Sequence, residues 1–184
     1  MKRLLLFLFT FFAIGLYAQG DHLKFMGIPL NGTITQFQNK LLGKGVALDR
    51  ETNKLLPVGT RAFTGTFSGE NASIFVYYDN KTKIVYRAKA VITCKDKSVA
   101  ENKLNYYSDM LSVKYAEAET HSGTSYGNIA FELDIPNASN GYLGCIQLYL
   151  IDNEYSFIGD MNLHIDYEDF ENSLNHKRQN LDDL

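Results

Sequence analysis

The chain has no tryptophan and only two cysteines in 184 residues. So few cysteines exclude a disulfide-stapled scaffold, because one bridge at most is available. They also argue against a cysteine-based zinc site, since neither Cys94 nor Cys145 has a second ligand at CxxC or CxxH spacing. Cations are not in excess either: 18 Lys and Arg stand against 21 Asp and Glu. That balance offers no electrostatic footprint for nucleic acid or an anionic lipid surface. No HExxH, no P-loop, no GxGxxG after a strand and no EF-hand spacing occurs. No cofactor is implied.

One long apolar run is present, and it sits at the N-terminus. Lys2 and Arg3 precede Leu4 to Ile14, which is unbroken except for Thr10, and Gly15 to Ala18 bring small residues before Gln19. Cation, short apolar stretch and small residue is the order of a cleavable signal peptide over residues 1–18. The run is too short for a membrane span, which needs about 20 apolar residues. No cysteine lies near the cut to carry a lipid. The expectation is an exported protein, periplasmic or extracellular, with no membrane span after cleavage. Loss of Lys2 and Arg3 moves the formal charge from −3 to −5.

Residues 19–184 make one domain of ordinary size. Twelve Tyr and twelve Phe favour a folded, strand-rich body. In an oxidising compartment Cys94 and Cys145 have one possible pairing; the alternative is two buried thiols behaving as small hydrophobes. Both stay open at this point.

Thr33 and Gln36 form a capping box ahead of Ile34, Phe37, Leu41 and Leu42, which predicts a helix over 33–44. Val46–Leu48 and Leu55–Val58 flank a polar stretch and read as a loose hairpin. Residues 61–67 and 72–78 read as a second hairpin, followed by a strand over 83–94 with Ala88, Ala90 and Ile92 on one face. Ser98 and Glu101 predict a second capped helix reaching about 117, with Ala100, Leu104, Tyr107, Leu111 and Tyr115 along one stripe. Strands are expected near 127–135, 142–151 and 155–166. The tail over 167–184 permits a helix, with Phe170 and Leu174 as its apolar anchors.

The pattern is therefore α+β: antiparallel sheet with two main helices on one face, in tandem helix-plus-strands units over about 22–94 and 97–166. That order resembles the beta-lactamase-inhibitor-like fold, a likeness of topology that implies no inhibitor activity. A second resemblance rests on particular residues. The opening His22-Leu23-Lys24-Phe25-Met26-Gly27-Ile28-Pro29-Leu30-Asn31-Gly32-Thr33-Ile34, the later Phe63-Thr64-Gly65-Thr66-Phe67-Ser68-Gly69, the Tyr107…Leu111…Lys114-Tyr115 helix and the terminal Asp182-Asp183-Leu184 are similar to a group of small exported proteins of gut bacteria. Ala116 stands where that group has glycine. The resemblance implies an envelope or secreted context and carries over no functional residue.

Three patterns are candidate sites. Gly123-Thr124-Ser125-Tyr126-Gly127 matches a G-x-S-x-G elbow, with His121 nearby, and suggests a small serine hydrolase. An elbow needs a strand before the serine and a helix after it; here the expected order is reversed. Asp160, Asn162, His164 and Asp166 alternate along one strand and share a face, about 6.6 Å apart. They suit a hard cation or a carboxylate–imidazole pair, or simply a solvated strand face. Tyrosines recur at 77, 78, 106, 107, 142, 149 and 155, and exposed tyrosines stack sugars or anchor partners. Tyr77, Tyr149 and Tyr155 are the candidates. Asn31, Asn71, Asn80 and Asn137 head N-x-[ST] sequons, idle in a bacterial context. His22 and His176 read as solvated. The expectation is a non-enzymatic binding module whose partner is a protein or glycan of the envelope, with the Ser125–His121 hydrolase as the alternative.

Overall fold

A helix followed by four antiparallel strands occurs twice, and the two meanders share one sheet. The computed structural model describes residues 22–122, 129–137, 141–152 and 161–181. A small hairpin, β1 (Lys24–Phe25) and β2 (Ile28–Pro29), leads into α1 (Ile34–Leu42). Then come β3 (Ala47–Leu48), the one-turn α2 (Arg50–Asn53), β4 (Thr60–Phe67), β5 (Glu70–Tyr78) and β6 (Val85–Cys94). The second half runs α3 (Lys97–Lys114), β7 (Glu119–Ser122), β8 (Ile129–Pro136), β9 (Tyr142–Asp152) and β10 (Met161–Asp169). A last helix, α4 (Phe170–Leu181), closes the described chain. The large sheet has the order β3-β4-β5-β6-β10-β9-β8-β7, antiparallel throughout. The final strands of the two meanders meet at its centre, with Ala90 opposite Ile165. The fold is α+β.

Local chemistry explains the elements. Gln36 N–H donates to the Thr33 hydroxyl at 3.4 Å while the Gln36 side chain accepts from Thr33 N–H at 2.9 Å, so the expected capping box forms. α1 then buries Ile34, Phe37 and Leu41. The hairpin expected from 46–48 and 55–58 does not form. β3 pairs instead with Phe63 and Thr64 of β4. The polar residues between them make α2, because Asp49 caps it by accepting from Thr52 N–H at 3.0 Å. The Asn53 carboxamide then mimics a strand, donating to Ala62 O at 2.6 Å and accepting from Ala62 N–H at 3.0 Å.

The cap of α3 also differs from expectation. Asp96, two residues before Ser98, accepts from Val99 N–H at 2.8 Å, so the helix starts at Lys97. Its stripe is the expected one: Ala100, Tyr107 and Leu111 are buried, and Leu104 and Tyr115 pack on the core. β7 has no counterpart in the sequence reading. Its four residues are polar and exposed, so it carries no alternation to detect.

α4 is held by polar groups rather than by its expected apolar anchors. Leu174 is 50% exposed and Phe170 only partly buried. Asp169 accepts from Leu23 N–H at 3.0 Å and Asn172 N–H at 3.1 Å, and pairs with His22 Nδ1 at 3.0 Å. Asn172 donates to Leu30 O at 2.7 Å. His176 Nδ1 lies 2.8 Å from Asp79 Oδ2 and its ring stacks on Tyr86 at 4.5 Å. His22 and His176 are thus structural latches on buried carboxylates, not solvated imidazoles. Where β9 runs beside the start of this assembly, Gly144 is required: a Cβ there would meet Glu168 O at 2.0 Å.

The core lies between the sheet and the buried faces of α1 and α3. Phe25, Phe37, Phe63, Ile74, Leu133, Ile146, Leu148 and Leu163 are its largest buried members, each worth about 1.5–3 kcal/mol. Cys94 belongs to this core, whereas Cys145 points to the opposite side of the sheet beside Glu168. Both are buried free thiols. A bridge between them is ruled out by geometry, since they sit on different faces and at different levels of the sheet. No helix among the described residues is long and apolar enough to cross a membrane.

Candidate functional site on the uncovered sheet face

Side chains alternate along a strand, so residues between the core-facing ones emerge on the other side. There the described helices leave the centre of the sheet uncovered. Three rows cross it: Phe75–Lys89–Asp166–Gln147, Tyr77–Arg87–Glu168–Cys145 and Ser73–Val91–His164–Tyr149. These residues fall together only because β6 pairs with β10.

Arg87 and Asp166 form the link between the halves. Arg87 Nε donates to Asp166 Oδ1 at 2.9 Å and its Nη2 to Asp166 Oδ2. Tyr149 OH donates to Asp166 Oδ2 at 3.2 Å. Asp166 is only 3% exposed, so its charge is supported by a bidentate guanidinium rather than by water. The pair holds the Arg87 pKa above its already high ordinary value. Arg87 also lies 5.0 Å over the Tyr77 ring.

Lys89 is the cation left over. It sits 5.8 Å over Phe75 and 5.9 Å over Tyr77. Among the described residues no carboxylate forms an ion pair with it. Burial lowers its pKa, the Arg87 charge adds to that, and Asp166 opposes both. His164, 9% exposed, stacks on Tyr149 at 4.8 Å. Its Nδ1 is buried without a hydrogen-bond partner. Burial and the nearby Lys89 charge pull its pKa down to about 4, so the ring is neutral at pH 7. An unpaired N–H costs more than an unpaired lone pair at a buried nitrogen, which favours the proton on Nε2. Lys89, His164, Phe75, Tyr77 and the α2–β4 connection at Leu56 and Pro57 enclose a groove of about 420 Å³.

The expected strand ladder is therefore real in its facing and wrong in its solvation. Asn162 takes a hydrogen bond from Thr93 at 2.9 Å, but His164 and Asp166 are buried under neighbouring strands' side chains. Asp160 lies outside the described residues, as do Ser125 and Tyr155. Asp166 is committed to Arg87 and Tyr149. Among the described residues no three histidine, cysteine or carboxylate side chains converge on a point. Of the candidate tyrosines, Tyr77 and Tyr149 both belong to the site. Burial raises the pKa of each, which is the reverse of activation as a base or nucleophile.

His121 lies apart, on the edge strand β7, with Nε2 3.3 Å from Asp134 Oδ2. The G-x-S-x-G segment joins β7 to β8, two antiparallel neighbours. Gly123 to Gly127 themselves lie outside the described residues. Sequence reading missed Phe75 and Lys89 as site residues. Lys89 was visible on the polar face of β6; the signal that it lacks a partner is tertiary.

No family model, curated protein or solved structure matches the chain.

Proposed function

We propose that this is an exported binding module that grips a protein partner of the envelope through the uncovered sheet face. The supporting observation is Lys89: a half-buried ammonium between two aromatic rings that forms no ion pair, its cross-strand neighbour Asp166 being committed to Arg87 and Tyr149. A carboxylate side chain from a partner would supply the missing counter-charge, and Phe75 and Tyr77 would pack its aliphatic stem. The tyrosines with raised pKa values favour holding over reacting. Export rests on the pattern of residues 1–18 and on the likeness of the opening segment to exported gut-bacterial proteins.

The test is capture from the native envelope with immobilised wild-type protein, Lys89→Glu and Tyr77→Ala, read by mass spectrometry. A partner retained by wild type and lost on Lys89→Glu supports the reading, provided the variant melts normally. Identical captures from all three would sink it. N-terminal sequencing of the protein recovered from its host is expected to begin at Gln19; an intact Met1 overturns the export assignment.

A further inference from the structure

We infer that a second binding site lies on the opposite, helix-bearing side of the sheet, and that it takes a free long-chain carboxylate. The cavity between α3, the β1–β2 turn and the β4–β5 turn has a volume of about 610 Å³, within the usual range of small-molecule sites. Buried Phe67, Tyr107, Leu111 and Tyr167 line it. Half-buried Met26 and exposed Met110, Lys44 and Lys114 complete the lining on its solvent side.

Three independent features point to an amphiphile with a negative head. The first is charge. Lys44 and Lys114 stand at one apolar cavity, and among the described residues neither forms an ion pair. Lys114 rests its ammonium 4.8 Å over the Tyr115 ring, an arrangement that leaves its hydrogen-bond donors for an anion.

The second is Met26. It occupies the two-residue β1–β2 turn with φ +51°, followed by Gly27 at φ +75°. Asn or Gly is the usual residue at such a position, because a side chain there is strained. Here a methionine takes it and lines the cavity. Methionine is flexible and polarizable, and adapts to an alkyl chain of variable bend. The strain is explained if the turn is selected for what its side chain touches.

The third is the surface around the mouth. Tyr106, Met110 and Val113 are 58%, 45% and 82% exposed and follow one another along α3 at helical spacing. Met110 belongs to both this stripe and the cavity lining, and so joins the two. α3 thus presents apolar side chains on two sides: one in the core, one toward this mouth. An alkyl chain would cover cavity and stripe together, with its carboxylate between the two lysines.

The chain has no tryptophan, so Met110→Trp is a clean fluorescent reporter. Titration with sodium dodecanoate below its micellar concentration is expected to give a saturable blue shift. Dodecyltrimethylammonium, matched in chain length, is expected to bind at least tenfold more weakly. Lys44→Glu with Lys114→Glu should weaken dodecanoate at least tenfold at an unchanged melting midpoint, whereas Lys89→Glu should leave it unaffected. Calorimetric titration of the unsubstituted protein guards against an artefact of the reporter. Equal affinity for the two amphiphiles, indifference to the double lysine variant, dependence on Lys89, or no heat of binding would each overturn the site.

Discussion

The two halves of the uncovered sheet face share a backbone plan and carry opposite chemistry. The first meander presents Phe75, Tyr77, Arg87 and Lys89. The second presents Glu132, Asp134, Asp166 and Glu168, with Gln147 donating to Glu132 at 2.7 Å. At the β6–β10 seam Arg87 pairs with Asp166, Glu168 turns to Ser173 and Lys177 of α4, and Lys89 is left without an ion pair. Antiparallel pairing of the last strands decides which charges meet, so the difference between the halves becomes a site only at their junction.

The strongest way to break this arrangement is to remove the seam's anion. Asp166→Ala leaves Arg87 partly buried and unpaired, and should cost about 3–5 kcal/mol in denaturant unfolding. A loss under 1 kcal/mol would show that the pair does not join the halves. Replacing both partners, Arg87→Met with Asp166→Leu, should recover most of that stability, because two apolar groups need no counter-charge.

Acid offers the next test. His164 is held at about 4 in the folded protein, below its ordinary 6.5. The unfolded chain therefore binds the extra proton between about pH 6.5 and 4, and stability falls as pH is lowered through that window. His164→Phe should flatten this limb of the stability profile. An unchanged slope would place the imidazole in water.

A smaller effect is expected at another link between the halves, where α4 grips the turn after β5. Burial pushes the Asp79 carboxyl upward, but hydrogen bonds from His176, Thr82 and the Lys81 amide outweigh it and hold it at about 2. Its contribution is present in full above about pH 4 and disappears as pH falls through about 2. Asp79→Asn should cost about 2 kcal/mol at pH 7 and nothing near pH 1.5. Thermal melts at the two pH values decide it.

Lys89→Met sharpens the comparison most finely. The half-buried ammonium forms no ion pair, so stability should change by less than about 1 kcal/mol, while partner capture is lost. A large destabilisation would mean that Lys89 belongs to the seam and not to a binding groove.

Much of this could be read residue by residue. The box at Thr33 and Gln36, the stripe from Ala100 to Tyr115, the alternation of Ala88, Ala90 and Ile92, and the common facing of Asn162, His164 and Asp166 are all short-range patterns. The failures are equally specific. Asp49 and Asn53 turned an expected hairpin loop into a capped turn. Asp96 took the cap from Ser98. Leu174 lost its role as anchor to Asp169, Asn172 and His176, because polar anchors have no periodicity.

The signal-like N-terminus, the α+β class, the helix stripes and the inward faces of the strands follow from the sequence by itself, since each depends on residues a few positions apart. Only the tertiary structure decided that β6 lies against β10. That pairing spans some seventy residues and depends on burying both meanders under the same helices. With it came the Arg87–Asp166 link, the separation of Cys94 from Cys145, and a lysine whose neighbouring carboxylate is already taken.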